Sequence, residues 1–333
     1  MSESLNYPKV SVIIISFKDR PIFNTVLKSL LNLTEYPNFD VTIIDYGSKQ
    51  LKGMVDKLRA NYKKPLTLIM VEKDFGKTHR INIGFREGLL GNAKYFVLLD
   101  DDILIKGSKW LTKLVYLMEE LPNTVVVAQP GGGIMLYPNG TVYALRDWEK
   151  PKNMKAWTSL CGGGGYFIVR RSFIEEFYKC GLKPYCEMFY MQSEDIDFAV
   201  KVYLRGYQAV SVRGIELLHV GESIAGIHRV FEAYKNRVML LLFNFSPFHI
   251  LKYMPFRILQ DFIHATIVYP LRVESPTARG LIELIKAYYW VLRRLSPIMT
   301  TRSLIQNRWL RINSKDFDRW FLKVPLPLTI YDK

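Results

Sequence analysis

The chain predicts an α/β fold: a Rossmann-like, mostly parallel central sheet with helices on both faces, followed by a C-terminal helical extension. Three observations lead there. Over the first hundred residues, four apolar runs of strand length alternate with segments of helical period. Those runs are apolar on both faces, as strands of a parallel sheet covered on both sides must be. From about residue 227 the alternation stops and only helical periodicity remains.

The elements follow in order. Val10–Ser16 is a β-branched run of strand length. Pro21 opens a helix to Leu33, with Ile22, Val26, Leu27, Leu30 and Leu31 on one face. Val41–Asp45 is a second strand and Leu51–Tyr62 a second helix. Leu66–Val71 is a third strand and Lys77–Leu90 a third helix. Tyr95–Leu99 is a fourth strand, running into Asp100-Asp101-Asp102. Trp110–Leu121 reads as helix and Val125–Gln129 as strand, followed by a hairpin around Asn139-Gly140. After the glycine run that ends at Gly165 come the strand Tyr166–Val169 and the helices Arg171–Tyr178 and Glu194–Arg205. Gly206 suits the residue after the second helix. Gln208–Val212 and Glu216–His219 are short strands.

Composition bounds the function. At 333 residues the chain is long enough for about two domains. The change of pattern divides it into 1–225 and 226–333. An apolar fraction of 49% excludes global disorder. Three cysteines, Cys161, Cys180 and Cys186, make neither a closed disulfide framework nor a zinc site, and read as thiols in a reducing compartment. Neither a secretory signal nor a transmembrane run is read, so a cytoplasmic chain is expected, at the inner face of the cell membrane if it meets lipid. The net charge of +15 calls for an anionic partner. From residue 250 onward fourteen Lys and Arg face six acids, a net +8. Here Leu251, Met254, Ile258, Leu259, Phe262, Ile263 and Ile267 form one helical stripe, and Leu281, Leu284, Ile285, Tyr288, Tyr289 and Leu292 another. Either the stripes cap residues 1–225 and leave a basic face in solvent, or residues 250–333 contact an anionic membrane.

Four motifs carry chemistry. Residues i and i+2 of a strand point the same way, so Asp100 and Asp102 can converge while Asp101 faces away. Three adjacent carboxylates repel. Either they sit in a solvated acidic loop, or a divalent cation, Mn²⁺ or Mg²⁺, gathers them and bridges a diphosphate. Ser193-Glu194-Asp195 opens a helix; this is either an N-cap with favourable dipole charge or a general base. Gly76-Lys77-Thr78-His79-Arg80 opens another, rich in donors for an anion. His219 follows a short strand, as a structural residue or a metal ligand.

In this order and spacing, VSVIIISFKDRPIF, IIDYGSK, FGKTHRINIG, YFVLLDDDI, GGGGYFIVRRSFIEEF, SEDIDFAVKVYLRGY and LLHVGES resemble the family 2 glycosyltransferases of the GT-A fold. The resemblance covers roughly residues 8–240 and is strongest to the rhamnosyltransferase-like subset. It implies inverting, metal-dependent transfer of a sugar from a nucleoside-diphosphate sugar to a hydroxyl of a glycan or lipid-linked acceptor. By matching position, Asp45 meets the nucleotide base, with Ser16, Lys18 and Arg80 nearby. Asp100, Asp101 and Asp102 hold nucleotide and metal, and His219 completes the metal shell. Asp195 is the base, with Glu194 beside it. Gly163, Gly164 and Trp157 lie on the acceptor side. Tyr46 stands where the family usually has Asn.

Two other readings compete. A sugar-1-phosphate nucleotidyltransferase needs a Gly-rich basic loop after the first strand, and Ser16–Arg20 contains no glycine. A non-enzymatic basic protein binding nucleic acid leaves a strand ending in three carboxylates unexplained, so no nucleic acid is expected.

Overall fold

The computed structural model describes residues 7–128, 134–144, 156–158, 160, 165–221, 228–273 and 277–312. Its centre is an eight-stranded sheet. In chain order the first half supplies β1 (Val10–Phe17), α1 (Phe23–Leu33), β2 (Phe39–Tyr46), α2 (Leu51–Asn61), β3 (Leu66–Met70), α3 (Lys77–Leu90) and β4 (Tyr95–Asp100). Then come β5 (Ile103–Ile105), α4 (Trp110–Glu120), β6 (Thr124–Ala128), the hairpin β7 (Ile134–Leu136) and β8 (Val142–Ala144), and β9 (Ala156–Thr158). This part of the chain closes with β10 (Tyr166–Arg170), α5 (Arg171–Lys179), α6 (Glu194–Leu204), β11 (Gln208–Val212) and β12 (Leu217–His219).

The sheet order is β3-β2-β1-β4-β10-β6-β11-β9. From β3 to β4 all pairings are parallel, and β6 and β11 are parallel to each other. β10 runs antiparallel between β4 and β6. Its sequence gives no warning of this. Tyr166, Phe167, Ile168 and Val169 are all buried, and a strand apolar on both faces reads the same in either direction.

Side chains alternate across the sheet as period two requires. Val10, Val12 and Ile14 of β1 pack with α1, α2 and α4, through Leu27, Val55 and Leu111 among others. Ile13 and Ile15 pack on the other face with Phe85 of α3, Phe173 of α5 and Phe198 of α6. The helices therefore cover both faces, as expected.

The C-terminal helices are α7 (His228–Asn244), α8 (Pro247–Ile263), α9 (Tyr269–Val273), α10 (Thr277–Arg293) and α11 (Leu295–Leu304). A π-helical turn, His264–Val268, joins α8 to α9, and another, Ile305–Trp309, follows α11. The pattern changes near residue 225, but one apolar cluster runs across that point. It includes Phe177 and Phe198 together with Met239, Phe243, Ile298 and Trp309. Trp309 stacks on Phe177 at 3.9 Å between centroids, and its Nε1 donates to the Lys201 carbonyl at 2.8 Å. The α8 stripe departs from a simple cap: Leu251, Ile258, Leu259, Phe262, Ile263 and Ile267 are exposed, while Arg257 and Asp261 are fully enclosed.

Candidate functional site

Strand β4 delivers Asp100 to the carboxyl end of the sheet, where ligands bind in open α/β folds. The chain turns through Asp101 and Asp102 into β5, which pairs antiparallel with β12 and sets His219 opposite Ile103. One ligand atom from each of Asp100, Asp102 and His219 then lies within 4.8 Å of the others. Asp102 Oδ1 is 3.0 Å from His219 Nε2, yet this buried oxygen receives no directed hydrogen bond. Two carboxylates and an imidazole with an orphaned oxygen between them suit a divalent cation such as Mn²⁺. Gly221 belongs to this geometry: a Cβ there would meet Asp102 Oδ2 at 1.8 Å.

Asp101 is hooked away. Its carboxylate accepts from the Phe17 N–H at 3.3 Å and from Arg20 at 2.8 Å. Burial pushes the Asp101 carboxyl up to about 6 against the pull of Arg20. Arg20 also reaches Asp102 Oδ2 at 2.8 Å. Sequence reading missed this arginine, because nothing local to Lys18–Pro21 places it against residues eighty positions away.

On the other side of Asp100 a cleft of about 40 Å³ is lined by Lys77, Asp100, Tyr185, Glu194 and Asp195, among others. Lys77 Nζ is 2.8 Å from Asp100 Oδ1. Burial works against its ammonium, but Asp100, Glu194 and Asp195 hold its pKa above the ordinary value. Lys77 opens α3 after Gly76, whose φ is +94° and whose absent Cβ would strike the Tyr190 carbonyl at 2.5 Å. Desolvation first, and the neighbouring Asp195 charge second, push Glu194 up to about 7. Asp195 is raised too, by burial, with Lys77 opposing.

The entry to α6 differs from a simple N-cap. Ser193 makes no side-chain capping bond and sits at φ 59°, directly after Gln192 at φ 66°. Two successive non-glycine residues in the left-handed region are costly and need outside support. Asn236 of α7 supplies it, donating to the Met191 and Gln192 carbonyls at 2.6 and 2.7 Å. The sequence pattern around Asn236 predicts a helix and carries no sign of this role.

The residues expected around the nucleotide gather at the ends of β1 and β2. Phe17 and Tyr46 stack with centroids 6.0 Å apart, and Lys18 and Arg80 stand over Phe17 at 5.0 and 5.2 Å. Tyr46, the departure from the family pattern, thus forms half of an aromatic pair. Arg80 is held by Asp74 at 2.9 Å. Asp45 is fully enclosed: its carboxylate accepts the Ser48 N–H at 3.0 Å and hydroxyl at 2.7 Å, closing the turn behind Tyr46. Ser16 is also fully enclosed, with no partner for its hydroxyl. Trp157 lies elsewhere, on the edge strand β9, buried under Arg213 at 5.0 Å. That is four strands from β4, roughly 19 Å across the sheet. Gly163 and Gly164 lie outside the described residues.

The mostly parallel sheet with helices on both faces is the GT-A fold of glycosyltransferases. The chain matches the model of glycosyl transferase family 2 over residues 11–178, half of its length, and belongs to that family. Among solved structures it is similar to GalNAc-T7 with UDP, GalNAc and Mn²⁺, at TM-score 0.58 and 16% identity, covering 92% of this chain and 59% of that one. It is also similar to the mannosyltransferase PcManGT from Pyrobaculum calidifontis in complex with GDP-Man and Mn²⁺, at TM-score 0.55 and 16% identity over 91% and 86% of the two chains. A third is S. aureus TarS 1-349, at TM-score 0.54 and 17% identity over 90% of each. No curated protein sequence matches the chain.

Proposed function

We propose that this chain transfers a glycosyl group from a nucleoside-diphosphate sugar to an acceptor hydroxyl with inversion at the anomeric carbon. The observation that carries this is a shared residue. Asp100 belongs both to the Asp100–Asp102–His219 set and to the cleft of Glu194 and Asp195. The leaving phosphate and the acceptor proton can therefore be handled side by side. Asp100, Asp102 and His219 would hold Mn²⁺, or Mg²⁺ as the sequence equally allows, which when bound neutralises charge developing on the diphosphate.

The remaining steps belong to the chain's own groups. Asp195 takes the acceptor proton as the hydroxyl oxygen bonds to the anomeric carbon. The bond to the diphosphate breaks on the opposite face, and the electron pair leaves with the nucleotide. A base whose pKa is raised by burial accepts a proton more readily at neutral pH than an ordinary carboxylate does. Glu194 shares the burden of negative charge with it, and Lys77 balances both. On the donor side, Phe17 and Tyr46 offer the base an aromatic surface, with Lys18 and Arg80 close to the phosphates. Asp45 acts there by shaping the turn that presents Tyr46. The acceptor is read as a hydroxyl of a glycan or lipid-linked acceptor. The resemblance to rhamnosyltransferases makes nucleotide-activated rhamnose the first donor to screen.

Calorimetric titration with nucleoside-diphosphate sugars, with and without Mn²⁺, tests the assignment. Asp102→Asn should weaken metal and nucleotide binding together, whereas Asp195→Asn should leave donor binding nearly intact. Metal-independent binding of equal strength in the wild type and Asp102→Asn would remove the metal assignment.

A further inference from the structure

Helix α8 is turned inside out for a chain surrounded by water. Its polar side faces the protein. Arg257 is fully enclosed and donates to Thr141 Oγ1 and Asp261 Oδ1, each at 2.5 Å. Asp261 also accepts from Tyr288 of α10 at 3.0 Å. Gln260 accepts from Asn139 and Thr141 of the β7–β8 loop at 2.8 and 2.6 Å. Enclosed charges hold only when paired and bonded in this way, so the network fixes the rotation of α8. The opposite face must then stand outward, and it is apolar: Leu251 is 78% exposed, with Ile258, Leu259, Phe262 and Ile263 exposed beside it.

Helix α10 lies against this segment, its Gly280 so close to Ala265 of the π-helical turn that a Cβ would meet the carbonyl at 2.3 Å. It exposes Ile282, Ile285, Tyr289 and Leu292 as a ridge, Leu292 at 68%. Alongside run Arg279, Lys286 and Arg293, spaced by seven residues and all exposed. Two residue intervals of seven bring each cation to nearly the same side of a helix. Apolar ridge and basic row side by side match the acyl and headgroup layers of a bilayer surface. Among the described residues no helix is long and apolar enough to cross a membrane.

We infer that the outer face of α8 and α10 docks on the surface of an anionic phospholipid bilayer. Apolar side chains enter the headgroup boundary and the Arg279–Lys286–Arg293 row meets lipid phosphates. This stands apart from the proposed chemistry and survives if that chemistry is wrong.

The test is flotation of the full chain with phosphatidylcholine vesicles, with and without about 30 mol% phosphatidylglycerol, which supplies the anionic surface that attracts Lys and Arg. Binding to the anionic vesicles should exceed binding to neutral ones by about tenfold and fall with salt. A Leu251→Glu/Leu259→Glu double variant, altered only at exposed positions, should lose about tenfold or more with an unchanged Tm. A Lys286→Glu/Arg293→Glu variant should lose the preference for anionic lipid. Absence of binding to anionic vesicles, or equal binding by the leucine double variant, overturns the inference. So does a dimer, seen by light scattering, that the leucine variant dissociates while vesicles bind neither form; a second copy of the chain is then the occupant.

Discussion

The mouth of the sheet and the outer face of α8 place charge in opposite ways. At the sheet, Asp100, Glu194, Asp195 and Lys77 gather around a cleft, with Asp102 beside Asp100, and apolar residues such as Ile81, Leu98 and Phe167 line the same cleft. At α8, Arg257 and Asp261 are enclosed and the leucines and isoleucines stand outside. The difference shows that a charge is placed by its partners rather than by its hydropathy. The sheet-end carboxylates remain with unmet capacity, such as Asp102 Oδ1 and Glu194 Oε2, which is what a ligand site requires. At the anchor both Asp261 oxygens are engaged by protein and, of the pair, only the Nε of Arg257 has no partner, so the chain meets the capacity of every carboxylate oxygen there.

The largest effect should come from the site. Asp195→Asn should lower kcat by about 10²–10⁴-fold, the usual worth of a general base, measured by single-turnover assay with the active donor. An unchanged kcat would move the base to another residue. Next is the anchor. Arg257→Met removes the close partner of enclosed Asp261, leaving it Tyr288 at 3.0 Å and Arg237 at 3.7 Å, and should cost about 3 kcal/mol, read by chemical denaturation. Loss of the same size in Lys252→Met, at an exposed position of the same helix, would mean that the charge inside is not special.

Glu194→Gln should act through pH. The carboxyl rises from 4.5 to about 7 on folding, so the folded chain holds its proton more tightly than the unfolded chain. Its contribution is fully present below pH 4.5 and is lost as pH rises toward 7. The variant escapes that loss. It should match the wild type near pH 4.5 and exceed it by about 1–3 kcal/mol above pH 7, with denaturation midpoints at both pH values as the check. A gain independent of pH would contradict a buried charge. The smallest effect belongs to the outer face. Leu251→Ser should change stability by no more than about 0.5 kcal/mol, whereas Leu240→Ala, fully buried in α7, should cost about 2–5 kcal/mol.

Much of the catalytic half was legible in the chain. The sequence pattern predicts Lys77–Leu90 and Gln208–Val212 at their observed limits and the end of β4 within one residue. These segments have strong local periods and clear punctuation. The three-residue strand β5 was not legible, since its pairing with β12 is made across more than a hundred positions. Nor were Arg20 and Asn236 recognisable as site residues, because each acts on a segment distant in sequence.

By itself the sequence determined the alternation of strand and helix, the arrival of Asp100 and Asp102 at a strand end, and the opening of a helix at Glu194. All three follow from spacing along a few neighbouring residues. Only the tertiary structure decided that β10 runs backward, that His219 meets Asp102, and that the apolar stripe of α8 faces out. A period defines which residues share a face but not the direction in which that face points. Direction is settled by what the rest of the chain offers, and for α8 it offered Thr141 and Tyr288 to two charges that could not be enclosed without them.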